Sequence, residues 1–517
     1  MTRRYAILLT VCLSVLAINL DTTIVNVALP SLSRDLDAGT RDLLWIVDGY
    51  NLAFAALVLA AGSLSDRWGR RPALVVGLIG FAASSVVAAY VDSAGALVAV
   101  RVVMGVFAAL IFPTTLSVIS NAFPDRRERA AALGLWGAAV GVGVAAGPVA
   151  GGWLLQHFYW GSVFLALVPV AVLALVMTLL FVPESRDRSV PALDRPGLLV
   201  SVAMLGTLTY TIIEAPERGW LSAATLGGFA AAAVLLVAFV RIEQRVAHPM
   251  LDVTLFRDRR FSAASGAVTI SFFALFGFIF LITQFFQFVR DYDALGTGLR
   301  ILPVAISLAG ASILGGFLAP RIGTKLVVAT GMTLLGSAFL WIAAVAVDSS
   351  YAAVIVPQML LMGTGLGLIT TPATESILQV LPPSRAGVGS AVNDATRELG
   401  GTLGVAVIGS LFSSIYAARL ATELDGRLDS ATLASAQDSV GVADGLAARM
   451  PGLQSATDTA FLAGLHASCL VIGLLCLVGA AAALAALPGN GYRPVATDDE
   501  TLPKGGAEQL TVANLDR

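Results

Sequence analysis

Two charged residues of opposite sign lie inside long apolar runs, where an ionised side chain is costly. Asp21 falls within the run at 5–29 and Arg101 within the run at 95–121. A charge at the centre of a membrane costs at least about 2.5–3.5 kcal/mol. An acid persists there when it faces a wet cavity, pairs with a cation or is protonated. The chemistry available to Asp21 is therefore proton exchange, and a nearby cation favours its ionised form.

The positions of Asp21 and Arg101 along their runs allow the two side chains to meet. At about 1.5 Å per residue, Asp21 lies roughly 24 Å from the N-terminal end of its helix, and Arg101 lies roughly 9 Å from the N-terminal end of its own. If the two helices run in opposite directions, both residues fall in the same half of a membrane. We predict that they form a proton-coupling site. A static ion pair that only joins two helices is the alternative.

A second group of polar residues lies towards the ends of later apolar runs. Asp394 and Arg397 are three residues apart, so they share a helix face and can pair, with Glu398 next to them. Together with Glu375 and with Asn26 of the first run, they are candidates for the lining of a substrate cavity. Polar residues that mark the interfacial ends of helices are an equally good interpretation.

Two other acids lie near the ends of apolar runs. Asp48 either lines an exit path or marks the end of its helix, and the sequence does not decide between the two. Glu214 comes shortly before Pro216, and we interpret it as an interfacial residue.

A short basic stretch, GSLSDRWGRR at residues 62–71, separates two apolar runs. Its glycines permit a tight turn, and its acid can form a charge network with the arginines. A weaker copy in the same register, GFLAPRIGTK, occupies residues 316–325. Any cytosolic loop attracts arginine, but the copy favours a gate and a duplicated chain. The residues that we assign to a cytosolic gate are Gly62, Asp66, Arg67, Gly69, Arg70 and Arg71.

Glycines recur at about four-residue spacing in the fifth apolar run, in the stretch GVAAGPVAGG at residues 143–152. This spacing produces a smooth helix face that another helix can approach closely. Pro148 would bend or loosen the helix. We expect a tight, low-leak seam between two halves of the protein, with generic packing as the alternative. The residues of this motif are Gly143, Gly147, Pro148, Gly151 and Gly152.

These residues belong to a chain built for the membrane. Of its 517 residues, 57% are hydrophobic and 13% are charged, whereas soluble proteins are about 45–50% apolar and about 25% charged. Runs of about 20 apolar residues are long enough to span a bilayer. The sequence contains fourteen of them, at 5–29, 43–64, 73–92, 95–121, 131–155, 161–182, 196–214, 222–241, 261–289, 298–319, 325–347, 352–380, 388–418 and 461–487.

The repeated stretches recur eight predicted helices later, which divides the fourteen helices into six, two and six. The fold class is therefore all-α, with two duplicated bundles and an insert of two helices. The predicted domains are a six-helix bundle at 1–190, the insert at 191–255, and a second bundle at 256–487. A polar loop at 419–460 allows a short amphipathic helix, and the polar tail at 488–517 is predicted to be disordered.

The basic residues concentrate in the termini and the even-numbered loops. By the positive-inside rule, both termini are cytosolic. The abundance of Ala, Gly, Val and Arg is typical of a GC-rich bacterial genome. We therefore expect a multi-pass protein of a bacterial plasma membrane.

The motifs together resemble those of the major facilitator superfamily. GSLSDRWGRR is similar to its motif A, and LDTTIVNVALP at 20–30 is similar to the first-helix motif of the fourteen-helix drug:proton antiporters of the QacA/EmrB type. Arg101 and Gly105 match its motif B, and GVAAGPVAGG resembles the antiporter motif C. TPATES at 371–376 and AGVGSAVNDATRELGG at 386–401 resemble actinobacterial antibiotic exporters.

The resemblance implies two six-helix bundles around a central cavity that opens alternately to the two sides. It implies a motif A hairpin that stabilises the outward-open state and a motif C that seals the interface. The chain departs from the family pattern at Pro320, where an acidic residue would complete the second hairpin. This departure suggests an asymmetric gate.

We therefore predict a proton-coupled antiporter that exports hydrophobic or cationic drugs or antibiotics. The phosphate-binding pattern GxxxxGK[ST] is absent from the sequence, so the expected energy source is the proton gradient, without a cofactor or metal. The expected partners are the lipid bilayer, a small substrate and protons. We expect a monomer that does not bind nucleic acid.

Two classes of alternative remain. Within transport, the chain exports an endogenous metabolite, siderophore or lipid, or takes up a solute with protons. Outside transport, it is a membrane enzyme or a sensor. An enzyme should show a cluster of His, Cys or Asp at one membrane face, and a sensor should carry a soluble domain. The sequence shows neither pattern.

Overall fold

A computed structural model of the protein describes residues 3–123, 125–186, 194–247, 249, 251–379, 386–424, 427–450 and 452–487. These residues are largely helical, and no strand occurs among them. The helices in chain order are α1 (Arg3–Asp35), α2 (Thr40–Trp68), α3 (Arg70–Ala88), α4 (Ala94–Ala122), α5 (Arg126–His157), α6 (Ser162–Leu165), α7 (Leu167–Phe181), α8 (Arg195–Arg218), α9 (Ala223–Glu243), α10 (Arg259–Gln284), α11 (Ala294–Ile322), α12 (Thr324–Ile342), α13 (Val356–Gln379), α14 (Ala386–Glu423), α15 (Ser430–Asp438), α16 (Val440–Ala447) and α17 (Gln454–Ala486).

The described part of the chain contains thirteen helices that are long and apolar enough to cross a membrane, or fourteen when the bent α2 is counted as one span. The bend in α2 is 56°, between Thr40–Val58 and Ala60–Trp68. The helices α6 and α7 together form the sixth span, Ser162–Phe181. The predicted all-α fold with fourteen spans is confirmed. The predicted tail at 488–517 lies outside the described residues.

Side-chain caps explain where several helices begin. Asp194, Asp258 and Asp293 accept hydrogen bonds from backbone N–H groups in the first turns of α8, α10 and α11. Ser222 caps α9 and Asp429 caps α15 in the same way. A side-chain oxygen at this position satisfies an amide that has no partner within the helix. These caps fix the loop-to-helix junctions that the sequence located only to within a few residues.

Helices of the first six spans pair in the same way as helices of the last six. In the first half (α1–α7), α1 packs on α5, α2 on α4, and α3 on α7. In the second half (α10–α14 and α17), α10 packs on α14, α11 on α13, and α12 on α17. Between the halves, α2 packs on α14 and α5 packs on α11. This reciprocal pattern supports the duplication, and the boundaries between the domains stay predictions.

The two helices α8 and α9, here called the insert, join the bundle through α8, which packs on both α2 and α14. Buried Glu214 of α8 pairs with Arg41 of α2 at 2.6 Å and with Arg218 at 3.2 Å. Trp220 donates a hydrogen bond to Ser414 of α14 at 3.0 Å. Glu214 is therefore a buried anchor between the insert and the first half.

The two ends of the bundle are named by their loops. The hairpin end carries the turns at Gly69 and Gly323, and the loop end carries the connection from α14 to α17. Both glycines have left-handed backbones, with φ of 130° and 91°, a region that glycine enters without strain. The loop at 419–460 was predicted to allow one short helix, and it contains two, α15 and α16.

Candidate functional site

Asp21 and Arg101 form a buried ion pair in the core of the first half. The Nη1 atom of Arg101 lies 2.8 Å from Oδ1 and 2.7 Å from Oδ2 of Asp21. Their side chains are 0% and 1% exposed. The expected approach of these two residues is confirmed. Their role in proton coupling stays a prediction.

Three helices and two rings position Arg101. Its Nε donates to the backbone oxygen of Ile46 on α2 at 3.0 Å. Its guanidinium carbon lies 4.3 Å from the ring centroid of Tyr50 and 6.0 Å from that of Phe164. A guanidinium can stack on an aromatic ring while it donates hydrogen bonds at its edge. The side chain is therefore held by α2 and by a ring of the sixth span while it reaches α1.

Asp48 is a second buried acid close to this site, and the sequence left its role open. It is 0% exposed, and neither carboxylate oxygen has a hydrogen-bond partner. One turn further along α2, the side-chain oxygen and nitrogen of Asn51 are also buried and without partners. Such groups are uncommon in folded proteins, and each calls for an explanation. The composition of the apolar run at 43–64 does not indicate that Asp48 and Asn51 are buried.

Asp48 and Asn51 face the second half. Leu44 of α2 lies against Gly409 of α14, and residues 44, 48 and 51 share one helical face. On the opposing helix, Thr402 lies on the same face as Gly409 and also has a buried hydroxyl without a partner. A seam between the halves therefore contains polar groups that are unsatisfied in this conformation.

Asn26 is buried on α1, five residues after Asp21. Its Nδ2 donates to the Thr22 oxygen at 2.8 Å, and its Oδ1 has no partner. One residue later, the Val27 oxygen accepts a hydrogen bond from Gln287 of the second half at 3.0 Å. Asn26 is 2% exposed. Its side chain is therefore enclosed in this conformation and does not line an open cavity, while the next residue of α1 contacts the second half.

The glycine motif of α5 serves two different helices. Gly143 and Gly151 lie against α1, where an added Cβ would come within 2.9 Å of Asn19 and 2.8 Å of Ile24. Gly147 lies against Thr23 of the same helix. These three glycines are four residues apart, so they face one neighbour, and that neighbour belongs to the first half.

Two other residues of the motif reach the second half. Gly152 packs against Ala294 of α11, and the Pro148 carbonyl lies against Gly298 of α11. The expected seam between the halves is therefore formed by Pro148 and Gly152, whereas the first three glycines of the motif pack within the first half. Gly152 follows Gly151 by one residue, which turns it about 100° around the helix axis towards a different partner.

The first hairpin is anchored to the sixth span of its own half. Arg70 Nε lies 2.7 Å from Asp66 Oδ1, one turn earlier. The Arg70 amide donates to the Ser185 oxygen at 2.9 Å, and Arg71 donates to the Leu179 oxygen at 2.7 Å. These bonds hold α2 and α3 close to the end of α7.

Other parts of the hairpin motif are placed differently. Arg67 is exposed, and Gly62 lies against Pro113 of α4, which a Cβ would approach to 3.3 Å. In the second hairpin, Arg321 bonds to the Phe317 oxygen of its own helix at 2.7 Å. The two hairpins therefore share a backbone turn and differ in their charge contacts.

The polar residues of α13 and α14 do not form the expected pair. Asp394 and Arg397 are absent from the ion pairs within 4.0 Å that the described residues make. Arg397 instead lies over the Phe272 ring at 5.1 Å. Residues three apart share a face, but a long arginine side chain can turn to another partner. Asp394 is buried, Glu398 is half-buried and Glu375 is exposed.

Contacts between the halves join the molecule at its loop end. Besides Gln287 and Val27, Gln156 of α5 donates to Asp293 at the start of α11. The hydroxyls of Ser33 on α1 and Ser439 at the start of α16 lie 3.0 Å apart. These contacts lie on the far side of the ion pair from the hairpins.

Comparisons with known proteins agree with this architecture. The family described as the Major Facilitator Superfamily matches residues 11–405. The chain is 35% identical over 487 residues to the multidrug efflux pump LfrA of Mycolicibacterium smegmatis, which covers 93% of this chain and 95% of LfrA. It is 32% identical over 493 residues to the tetracenomycin C resistance and export protein of Streptomyces glaucescens, with 93% of this chain and 91% of that protein covered.

A solved structure has the same fold. It is a bacterial homolog of the human lysosomal transporter Spinster in an inward-facing and unoccupied conformation. The TM-score is 0.66 at 17% identity, and the match covers 94% of this chain and 97% of the other. At this identity the likeness concerns the fold alone.

Proposed function

The chain belongs to the Major Facilitator Superfamily, and on that premise we propose that it exports hydrophobic or cationic drugs in exchange for protons. The family and the efflux pumps among its relatives indicate a multi-pass membrane transporter and not an enzyme. The names of two relatives, a multidrug efflux pump and an antibiotic export protein, support a drug or antibiotic as the substrate.

The observation that carries the proton-coupled part is the buried pair of Asp21 and Arg101. Two opposing effects act on the protonation of Asp21. Loss of water favours the neutral acid, and the adjacent guanidinium favours the carboxylate. In the proposed cycle, the halves move and change one of these effects, so that Asp21 takes up a proton from one side and releases it to the other.

Asp48 is proposed as a second acid of the same cycle. An ionised carboxylate that is fully buried without a partner costs far more than a neutral acid. We therefore infer that Asp48 is neutral in this conformation. When α2 and α14 separate, water reaches the seam, and the acid can lose its proton there.

The hairpins and the loop end are proposed to gate the two sides. The contacts between the halves at the loop end support a conformation that is closed there and opens at the hairpin end. In the opposite conformation, the Asp66 and Arg70 pair would face the second half and hold the hairpin end shut. The exposed Arg67 is available for such a contact.

The remaining assignments follow the same proposal. The hairpin end and both termini face the cytosol of a bacterium, in its plasma membrane. The proton gradient supplies the energy without a cofactor, and the protein works as a monomer that does not bind nucleic acid. Asn26, Glu375, Asp394, Arg397 and Glu398 contact the substrate when the halves are apart.

Inverted membrane vesicles test the function directly. Vesicles that contain the protein should accumulate ethidium when respiration acidifies their interior, because export from the cell becomes uptake into the vesicle. A protonophore should abolish the accumulation, and vesicles without the protein should show none. Accumulation that persists with the protonophore would contradict proton coupling. A growth-inhibition panel of antibiotics and dyes then separates drug export from the export of an endogenous metabolite, siderophore or lipid.

A further inference from the structure

The two short helices α15 and α16, at residues 430–447 and here called the lid, cover part of the loop end. They belong by connectivity to the second half, since they join α14 to α17. Tyr416 of α14 donates to the Ala436 oxygen at 3.2 Å. Gln437 donates to the Ala417 oxygen at 2.9 Å. These two bonds fasten α15 to its own half.

The lid is also seated on the first half. The hydroxyls of Ser33 and Ser439 are 3.0 Å apart, and both side chains are at least nine-tenths buried. Ser33 donates to the Ala38 oxygen at 3.0 Å, so Ser439 supplies the hydrogen that joins the two hydroxyls. A Cβ on Gly441 would come within 2.7 Å of Ser33 Oγ. The absence of a side chain there permits the close approach.

The contact between the lid and the first half, here called the seat, involves few groups compared with two packed helices. It consists of one hydroxyl pair, a glycine and the end of α15, where the Asp438 carboxylate lies against Gly39. A hydrogen bond of this kind contributes only about 0.5–1.5 kcal/mol. The chain connects the lid directly to α14 and α17, whereas its contacts with α1 are non-covalent. When the halves part at the loop end, the contact with α1 is therefore the one that breaks.

We propose that the lid is a releasable closure of the loop end, which travels with the second half and must leave Ser33 before the exported molecule can depart. This inference rests on the proposed alternating-access transport. It assigns a gating function to a connection that carries none of the sequence motifs. It also predicts that locking the lid to α1 stops transport, while locking it to α14 does not.

Charges around Asp438 make the closure sensitive to acid. Burial, together with the nearby carboxylates of Glu217 and Asp42, raises the pKa of Asp438, and Arg41 opposes this rise. Glu217 belongs to the insert and the other two residues to α2. Like charges from three separate elements thus meet where the lid is seated, and a proton on Asp438 relieves their repulsion.

A second acid of the lid has a different environment. Burial and the carboxylates of Asp291 and Asp458 raise the pKa of Asp444, while Arg34 of α1 opposes the rise. Asp291 and Asp458 belong to the second half and travel with the lid, so the acid response is assigned to Asp438. Acid at the loop end should protonate Asp438 and hold the lid in place.

A disulfide between positions 33 and 439 tests the proposal. The three native cysteines, Cys12, Cys469 and Cys476, are first replaced by alanine, and the double variant Ser33→Cys with Ser439→Cys is oxidised with copper phenanthroline. Because the two hydroxyls are 3.0 Å apart, the introduced thiols start close to the S–S bond length of about 2 Å. Ethidium transport in proteoliposomes should fall in proportion to the cross-linked fraction, and dithiothreitol should restore it.

The matched control links the lid to its own half. The variant Ala417→Cys with Gln437→Cys, bridged by a short reducible linker, should transport ethidium as well as the unlinked protein. Full transport by the Ser33–Ser439 disulfide would overturn the proposal. Failure of that disulfide to form under oxidation would overturn it as well, because the seat would then be misplaced.

Failure of transport and failure of the lid can be distinguished. If the unsubstituted protein does not move ethidium, the proposed function fails. Release of the lid is then tested by measuring the distance between spin labels at Asp35→Cys and Ser435→Cys, since both positions are exposed. Two distance populations support a releasable lid, and a single population under all conditions contradicts it.

Discussion

The cores of the two halves have the same helix pairs but different contents. The first half buries the ion pair of Asp21 and Arg101 between α1 and α4. The corresponding core of the second half holds a different buried polar residue, Gln358, near the start of α13. Gln358 is buried and donates to the Trp341 oxygen at 3.2 Å.

The surroundings of Gln358 are apolar. It lines a small cavity together with Phe278 and Ile282 of α10, the helix that corresponds to α1. Among the ion pairs of the described residues, the one with both side chains buried therefore lies in a single copy of the duplicated scaffold. Burying a charge is expensive unless it is well paired, so a pair kept in a single copy points to a function of that copy. In the proposed function, proton chemistry belongs to the first half, and the equivalent core of the second half serves packing.

Removing the cation should give the largest effect. Arg101→Gln leaves Asp21 buried without its partner, and breaking a buried pair costs about 3–5 kcal/mol. Gln358→Leu in the second half removes one hydrogen bond to the Trp341 carbonyl, which still accepts from the Ala344 amide, and should cost about 0.5–1.5 kcal/mol. Unfolding in detergent measures both. Gradient-driven ethidium transport should vanish in Arg101→Gln and persist in Gln358→Leu. Equal losses of transport in the two variants would contradict a functional difference between the halves.

The glycine motif should give the next largest effect. Gly147→Leu drives a side chain into Thr23 of α1 and should abolish most transport. Gly137→Leu on the same helix has open space around the added carbon, so transport should stay near that of the unsubstituted protein. Ethidium efflux and passive dye leak are measured for both. Equal behaviour of the two variants would show that contact with α1 is unimportant.

The two hairpins should respond differently, with a smaller effect on stability. Asp66→Asn removes the pair with Arg70, which is partly exposed and contributes up to about 1 kcal/mol. Arg321→Gln removes only a bond to its own helix. Transport should fall more in the first variant, since the first hairpin alone has the acid. Identical transport rates in these two variants would argue against an asymmetric gate.

The acid response of the lid should be the smallest effect. The pKa of Asp438 is raised in the seated lid by burial and by the carboxylates of Glu217 and Asp42, which a released lid leaves behind, so the seated form takes up a proton. Lowering the pH from 7 towards the ordinary aspartate value of about 4 should therefore favour it. Spin-label distances between positions 35 and 435 measure the seated fraction. In Asp438→Asn the pH dependence should weaken, and an increase in released lid at low pH would contradict the sign.

The sequence was sufficient for the spans and for the main contact between them. Apolar runs of the required length set the fourteen helices, because backbone groups in lipid must be satisfied within helices. Asp21 and Arg101 were predicted to meet because isolated charges in a membrane need partners. The duplication was visible in the two hairpins, whose glycines now share the same left-handed turn.

Other features depend on tertiary packing that local patterns do not encode. Asp394 and Arg397 have the spacing of a pair, but Arg397 turns to Phe272. The glycine stripe indicated a close contact without naming the helix that makes it. Asp48 lay near a predicted helix end, and its complete burial comes from the packing of other helices on α2. The seat of the lid joins residues 406 positions apart, for which the chain has no short-range signal.

Proton release by the purified protein is the most direct test of the central claim that Asp21 is the exchangeable acid. Ethidium is added to the protein in weakly buffered detergent, and the released protons are measured with a pH indicator. Asp21→Glu and Asp21→Asn are compared with the unsubstituted chain, after thermal unfolding has shown that each is folded. The account predicts that Asp21→Glu releases protons and that Asp21→Asn releases fewer than the unsubstituted chain and cannot use a gradient. Unchanged proton release and gradient-driven transport in Asp21→Asn would contradict it.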